Sequence, residues 1–421
     1  MGENLQKHRW LSRSLPNHNT RRLVILTGAR QTGKTTLAQQ IYSDLYYINC
    51  DAPENREMLR EIHSANWGKS VGNAVIDEAQ KEPSVFEKIK FAYDGHQISF
   101  SILLGSSQIL LLKRIRESLA GRVFIYELWP LMMSELVREG PLDQNKHVPL
   151  ISHIINGKNK IGNILKDLPS VTMGETEAKL KHTQDYLLKW GGMPELLHLA
   201  ENERQEWLRS YEYTYLERDL SDLARLDDLY PFRKFQRLSA LRSSQILTYS
   251  ELGRDAGISV DTARRYLEYL RLSYQTFLLQ PFYENLTSSV VKSPKIYWVD
   301  IGLLRELSGF TGEVTGPIFE TMVIGEIYKW AKTTKEKAEL FYYRTRSGLE
   351  VDLVIKTPYG IIGLEVKNKT SIVKKDYRAM CEIGKKLGER WLGGILVYNG
   401  NSINQLDEPN IWAVPARRLL V

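Results

Sequence analysis

Gly28-Ala29-Arg30-Gln31-Thr32-Gly33-Lys34-Thr35 fits the pattern G-x-x-x-x-G-K-[ST] at every position. Residues of these types at this spacing bind phosphate. The glycines let the backbone approach a polyphosphate closely. The N–H groups converge at a helix N-terminus, where the peptide dipoles also favour an anion. Lys34 would reach the β- and γ-phosphates of ATP, and the Thr35 hydroxyl would hold Mg²⁺, with Thr36 completing the loop. A bare glycine turn would lack the flanks seen here. The apolar run Leu23-Val24-Ile25-Leu26 precedes the loop, and Leu37, Ala38, Ile41 and Leu45 follow it at helical spacing.

A second set of polar residues falls at the ends of apolar runs. The run 73–77 ends in Asp77-Glu78. Alone, such a pair reads as two solvated loop acids. Beside a phosphate loop, Asp77 can hold the Mg²⁺ shell and Glu78 can orient or deprotonate the attacking water. The run 100–105 ends in Gly105-Ser106-Ser107-Gln108. Ser106 or Ser107 would lie beside the γ-phosphate and sense hydrolysis; the alternative is a plain turn. Arg122 follows a helix-patterned stretch at 109–119 and precedes the run 123–128. It is the candidate to reach a neighbouring subunit's ATP. Arg114 and Arg116 compete for that role, and a surface cation is the bland alternative.

A third constellation lies near the carboxyl end. Glu320 falls in a helix-patterned stretch, Asp352 in the run 349–355, and Glu365 and Lys367 in the run 361–367. Period-two alternation puts Glu365 and Lys367 on one face. Asp352 and Glu365 on adjacent strands can meet around one Mg²⁺, while Lys367 orients water or stabilises charge on a phosphate. Hard oxygen ligands plus a lysine suit metal-assisted phosphodiester hydrolysis. Glu-x-Lys alone is common on exposed strands, and a degenerate site kept for contact alone is the competing reading.

The elements that must position these residues follow from the hydrophobic pattern. Apolar runs at 22–27, 46–50, 73–77, 100–105 and 123–128 alternate with helical stretches, which predicts a parallel α/β sheet covered by helices. Residues 141–182 contain Pro141, Pro149, Gly157, Gly162, Pro169 and Gly174 and read as an insertion or a loosely packed helical lid. Residues 246–279 read as a helix-turn-helix. Its helices are Tyr249 to Ala256 and Val260 to Leu272, the second capped by Ser259 or Asp261. Ala263, Leu267 and Leu270 form the apolar face. Arg264 and Arg265 are left outside to touch DNA phosphates or guanine edges, unless the module only packs. Gln275 to Phe282 would supply wing strands. Arg344 and Arg346, beside a turn at Ser347-Gly348, offer further phosphate contacts.

Several strings together resemble a known family. Residues 28–37, 75–81, 104–107, 118–123 and the Glu-Leu-Trp-Pro-Leu-Met-Met-Ser-Glu-Leu of 127–136 resemble the AAA_14-type AAA+ ATPases, which usually carry a C-terminal DUF4143 domain. The Asp352, Glu365, Lys367 set behind Glu320 resembles the PD-(D/E)XK nuclease core, closest to Holliday-junction-resolvase-like members, with Val351 where a proline is usual. The resemblance implies a P-loop AAA+ parallel sheet with a helical lid, a winged-helix module and a C-terminal α/β PD-(D/E)XK-like domain. It divides the chain into an ATPase core at 1–136, insertion and lid at 137–235, winged helix at 236–310 and nuclease-like domain at 311–421. It also implies ATP binding with Mg²⁺, hydrolysis, and a homo-oligomeric ring.

Bulk properties narrow the function classes. A length of 421 residues is too much for one core, and a net charge of +7 favours an anionic partner, nucleic acid first. Cys50 and Cys381 match no metal spacing and read as buried or free thiols of a reducing compartment. No apolar stretch reaches the roughly 20 residues that span a bilayer, and residues 1–22 are polar and basic, so the expectation is a cytoplasmic protein without a secretory leader. Three functions remain: an ATPase that remodels or translocates DNA, branched or duplex; an ATP-gated, Mg²⁺-dependent nuclease; and a STAND-like nucleotide switch that binds a protein.

Overall fold

Strand β1 (Arg22–Thr27) shows how the amino-terminal sheet is built. Leu23 and Ile25 face one apolar layer with Ile48, Ile76, Phe86 and Ile89, while Val24 and Leu26 face the other with Leu37, Ala38, Tyr42 and Leu104. A strand buried on both faces requires the continuous apolar run found here. Strands β2 (Tyr46–Asn49), β3 (Ala74–Asp77), β4 (Phe100–Gly105) and β5 (Val123–Glu127) run parallel to it, in the order β2-β3-β4-β1-β5. This is the expected α/β sheet, with every strand end within one residue of its predicted place. All carboxyl ends share one rim, so the loop after β1 and the acids after β3 meet there. The computed structural model describes residues 7–105, 119–138, 148–223, 229–283, 293–406 and 410–421. Ser106, Ser107, Arg114 and Arg116 lie outside the described residues.

The carboxyl half forms a second sheet. Helix Tyr230–Leu241 leads into β6 (Gln245–Ile246), then helices Tyr249–Ala256 and Val260–Leu272, then β7 (Thr276–Pro281) and β8 (Lys295–Trp298). Both helices of the predicted helix-turn-helix have the expected bounds, and Ser259 is the cap, its Oγ accepting from Thr262 N at 3.1 Å. After helix Gly316–Thr334 come β9 (Glu339–Arg344), β10 (Glu350–Thr357), β11 (Gly360–Lys367), helix Arg378–Leu387, β12 (Trp391–Tyr398), β13 (Asn404–Gln405) and β14 (Ile411–Pro415). β9, β10 and β11 are antiparallel neighbours, and β11 and β12 are parallel.

One expectation needs correction and one needs a qualification. The stretches on either side of the expected 310/311 boundary contribute strands to one sheet. β7 pairs antiparallel with β8 and parallel with β9, so nine strands run in the order β13-β14-β12-β11-β10-β9-β7-β8-β6. The stretch 148–172 is not a loose lid. Leu150, Ile151, Ile154, Ile155, Ile161 and Leu165 are buried in one core with Leu392, Ile395 and Trp412. Ile161 N donates to Leu392 O at 3.0 Å, and Val171 bridges Ser402. Apolar residues at helical spacing outweigh the prolines and glycines that punctuate this stretch. Among the described residues no helix is long and apolar enough to cross a membrane.

Candidate functional site

The loop after β1 turns so tightly that only glycine fits at its start. Gly28 has φ 149°, and a Cβ there would meet Leu128 O at 2.1 Å. The chain then enters helix Lys34–Ile41, whose first N–H groups face the loop. Lys34 is buried and its Nζ donates to Gly28 O at 3.0 Å and Ala29 O at 2.7 Å. Thr32 Oγ1 donates to Ala29 O at 2.9 Å, while Gln31 (φ 59°) and Thr36 are exposed. Tyr211, buried on helix Glu201–Leu223, brings its hydroxyl to 3.4 Å from Arg30 O.

The acids sit where the sheet puts them. Thr35 Oγ1 donates to Asp77 Oδ2 at 2.5 Å, and Tyr47 OH donates to the same oxygen at 2.9 Å. Glu78 adopts a left-handed φ of 49°, with its N–H on Asp77 Oδ1 at 2.9 Å. Burial pushes its carboxyl above the usual range, with Lys34 pulling the other way. A tight glycine cradle, a lysine on the loop carbonyls and a hydroxyl–carboxylate pair are the donor set that a nucleoside triphosphate with Mg²⁺ requires.

The loop is also wired outward. Arg9 Nη1 donates to Thr32 O at 2.7 Å, and Arg9 Nε bonds Glu135 Oε2 at 3.2 Å. Two residues before Glu135, Met133 N donates to Glu326 Oε2 on helix Gly316–Thr334 at 2.6 Å.

Arg122 lies far from all this. It precedes β5 at the amino-end rim, where Val123 pairs with Leu23, and its Nε bonds Asp94 Oδ1 at 2.8 Å. Gly28 begins five residues further along β1, about 16 Å at a strand's rise. Arg122 therefore cannot serve its own phosphate loop.

The carboxyl-terminal acids converge as well. β10 and β11 pair Leu353 with Leu364, and one step further Asp352 and Glu365 come together. The register of β10 against β9 shifts between Val351 and Val354, a bulge that re-aims Asp352. Asp352 Oδ2 accepts from Val366 N at 2.9 Å. Lys367 Nζ lies 3.1 Å from Glu365 Oε2 and 3.7 Å from Asp352 Oδ2. Burial and then the Asp352 charge push Glu320 up to about 7. Burial also raises Glu365 well above its ordinary range. Against its own burial, Lys295 and Lys367 hold Asp352 low.

Sequence reasoning missed two members of this cluster. Lys295, the first residue of β8, is 2% exposed and lies 3.2 Å from Glu320 Oε1 and 3.6 Å from Asp352 Oδ1. It also pairs with Glu350, whose other oxygen takes Arg344 Nη1 at 2.9 Å. Glu350 shares the alternation of Asp352 and was legible; Lys295 had no local signal. The Mg²⁺ expected between Asp352 and Glu365 does not fit this arrangement, because ammonium groups already hold the carboxylates. Among the described residues no group of acids, histidines or cysteines is arranged to hold a metal.

The two predicted DNA contacts on helix Val260–Leu272 are outside. Arg264 and Arg265 are exposed, while Ala263, Tyr266, Leu267 and Leu270 are buried. Arg264 lies over the Tyr249 ring at 5.4 Å. Arg346 is exposed, whereas Arg344 is engaged by Glu350.

Three family models match successive stretches of the chain. Residues 20–137 match the AAA_14 model, an AAA domain. Residues 181–314 and 315–419 match two domains of unknown function, DUF8612 and DUF4143. The uncharacterized protein Rv2008c of Mycobacterium tuberculosis is 28% identical over 407 residues, spanning 94% of this chain and 81% of that protein. The uncharacterized protein MJ1544 of Methanocaldococcus jannaschii is 25% identical over 354 residues, spanning 79% and 72%. Among solved structures, the Walker-type ATPase PABY2304 of Pyrococcus abyssi is similar at a TM-score of 0.42 and 17% identity, covering 70% of this chain and 94% of that one. With the phosphate loop in its parallel sheet at one end and the matched tail at the other, the chain carries an AAA_14-type AAA domain at 20–137 and a C-terminal DUF4143 domain at 315–419.

Proposed function

We propose that this protein binds ATP with Mg²⁺, hydrolyses it, and uses the turnover to remodel or translocate DNA, branched or duplex, as a homo-oligomeric ring. The observation that carries the reading is the meeting of Lys34, Thr35, Asp77 and Glu78 at one rim of the sheet. The residues that would hold the nucleotide are Gly28, Ala29, Arg30, Gln31, Thr32, Gly33, Lys34, Thr35 and Thr36, with Thr35 and Asp77 taking the cation. When bound, Mg²⁺ shields the phosphate charge that otherwise repels a nucleophile. Lys34 exchanges its loop carbonyls for phosphate oxygens. Glu78 holds a water and accepts its proton at Oε; its raised carboxyl is a better base for that task.

The DNA half of the proposal rests on the exposed Arg264 and Arg265 and on the order helix, β6, helix, helix, β7, β8, which reads as a winged helix. An Arg264→Ala, Arg265→Ala chain should bind duplex DNA more weakly, with a salt slope shallower by about two phosphate contacts. Gel shifts across a salt series measure this. ATPase rates against single strands, duplexes and four-way junctions test the coupling. Turnover indifferent to every DNA, with none adhering at low ionic strength, would end this reading and favour the STAND-like protein-binding switch. The contacts of Lys295 with Glu320, Glu350 and Asp352 weigh against the metal-dependent nuclease reading.

Ring assembly supports a second expectation. Only a neighbouring subunit can present Arg122 to a phosphate loop, and doing so would break its pair with Asp94. Arg122→Ala and Lys34→Ala chains should each be inactive, yet turn over ATP when mixed. Two inactive parents that stay inactive together would remove Arg122 from the shared site.

A further inference from the structure

We infer that Lys295 is the resident cation of the carboxyl-terminal acid cluster, holding the position that a divalent ion would take among Glu320, Glu350 and Asp352. The cluster is closed by the chain itself. This goes beyond the ATPase reading and does not rest on it.

The geometry is specific. Lys295 is 2% exposed, and its Nζ meets carboxylates carried by two elements: Glu320 on helix Gly316–Thr334, and Glu350 and Asp352 on β10. The side chain passes the Tyr342 ring of β9 at 5.7 Å. Its backbone is fixed from both sides, because Lys295 pairs with Leu279 on β7 and with Ile246 on β6. Two residues on, Tyr297 OH donates to Glu320 Oε1 at 2.8 Å, so one strand supplies both partners of that carboxylate. A buried ammonium pulled away from its carboxylates is costly, and so is a buried carboxylate left without a cation. Each therefore holds the other in place.

Charge accounts for the exclusion of a metal. Lys295, Lys367 and Arg344 neutralise most of the charge on Glu320, Glu350, Asp352 and Glu365. Mg²⁺ or Mn²⁺ needs several free carboxylate oxygens at one point. Here Glu320 Oε1, both Glu350 oxygens and Asp352 Oδ2 are already engaged by N–H or O–H donors. Removing the Lys295 ammonium while keeping the fold leaves acids from two elements facing one gap, which is a divalent site.

The test is Mn²⁺ uptake by the full chain without nucleotide, read by the electron paramagnetic resonance of free Mn²⁺. Wild type and Asp352→Asn should take up the same amount. Lys295→Met should take up one further ion, and that ion should be lost in Lys295→Met combined with Asp352→Asn. The melting temperature of Lys295→Met should rise with Mn²⁺, whereas wild type and Asp352→Asn should respond alike. Any ion held near the phosphate loop is common to all four chains and cancels. A wild-type ion that Asp352→Asn cannot hold overturns the inference, and so does a folded Lys295→Met that gains none. Should Lys295→Met fail to fold, the comparison of wild type with Asp352→Asn decides alone.

Discussion

A Lys34→Ala chain should lose nucleotide binding, and a Glu78→Gln chain should keep it while turning over roughly 10³-fold slower. The two expectations separate binding from chemistry at one site. Lys34 is the buried cation of the loop, and its partners are backbone carbonyls that it can exchange for phosphate oxygens. Without it the loop offers N–H dipoles to a highly charged anion but lacks the buried ammonium at its centre. Glu78 is different. It contributes no ligand to the loop, and Gln80 Nε2 holds its Oε2 at 2.5 Å. Gln preserves the shape but cannot accept a proton, and a positioned general base is typically worth about 10²–10⁴ in rate. Anisotropy with a fluorescent ATP analogue measures the first effect and phosphate release the second. Equal loss of binding in both variants would show that Glu78 helps to hold nucleotide.

The second large effect concerns Asp300. An Asp300→Ala chain should be less stable by about 3 kcal/mol, seen as a lower urea midpoint. This carboxylate is buried and accepts twice: from Gly192 N at Oδ2, 2.7 Å, and from Leu303 N at Oδ1, 3.0 Å. The second bond caps helix Ile301–Ser308. The first ties that helix to the turn after helix Gly174–Trp190, where a Cβ on Gly192 would meet Leu131 O at 2.2 Å. Alanine leaves two N–H groups buried without acceptors. Asp300→Asn restores one acceptor and should fall between the two. A midpoint that does not move in Asp300→Ala would mean that water replaces the carboxylate at no cost.

Local pattern carried the amino-terminal sheet. Continuous apolar runs bounded by polar turns fixed five strands, and the phosphate loop fixed the rim on which Asp77 and Glu78 stand. The helix-turn-helix was equally legible, because Ala263, Leu267 and Leu270 repeat at helical spacing behind Ser259. Helix Arg378–Leu387 and strands β12 and β14 carry no motif that would mark them in the sequence. Lys295 was invisible for a deeper reason. Its partners lie at positions 320, 350 and 352, and only the pairing of β8 with β6 and β7 brings it to them. A lysine opening an apolar strand looks like a solvated strand end until the tertiary fold is known.

Strand β7 has one neighbour in each half of the nine-stranded sheet. Helix Val260–Leu272 runs almost directly into it, and β9 carries the tail from its other edge. Torque applied to that helix is therefore passed to the tail through backbone ladders, as along a stiff crank. Slipping one past the other would tear interstrand bonds and pull the Lys295 ammonium away from its carboxylates. Were that helix and the tail each to hold a ligand, the two ligands would turn together.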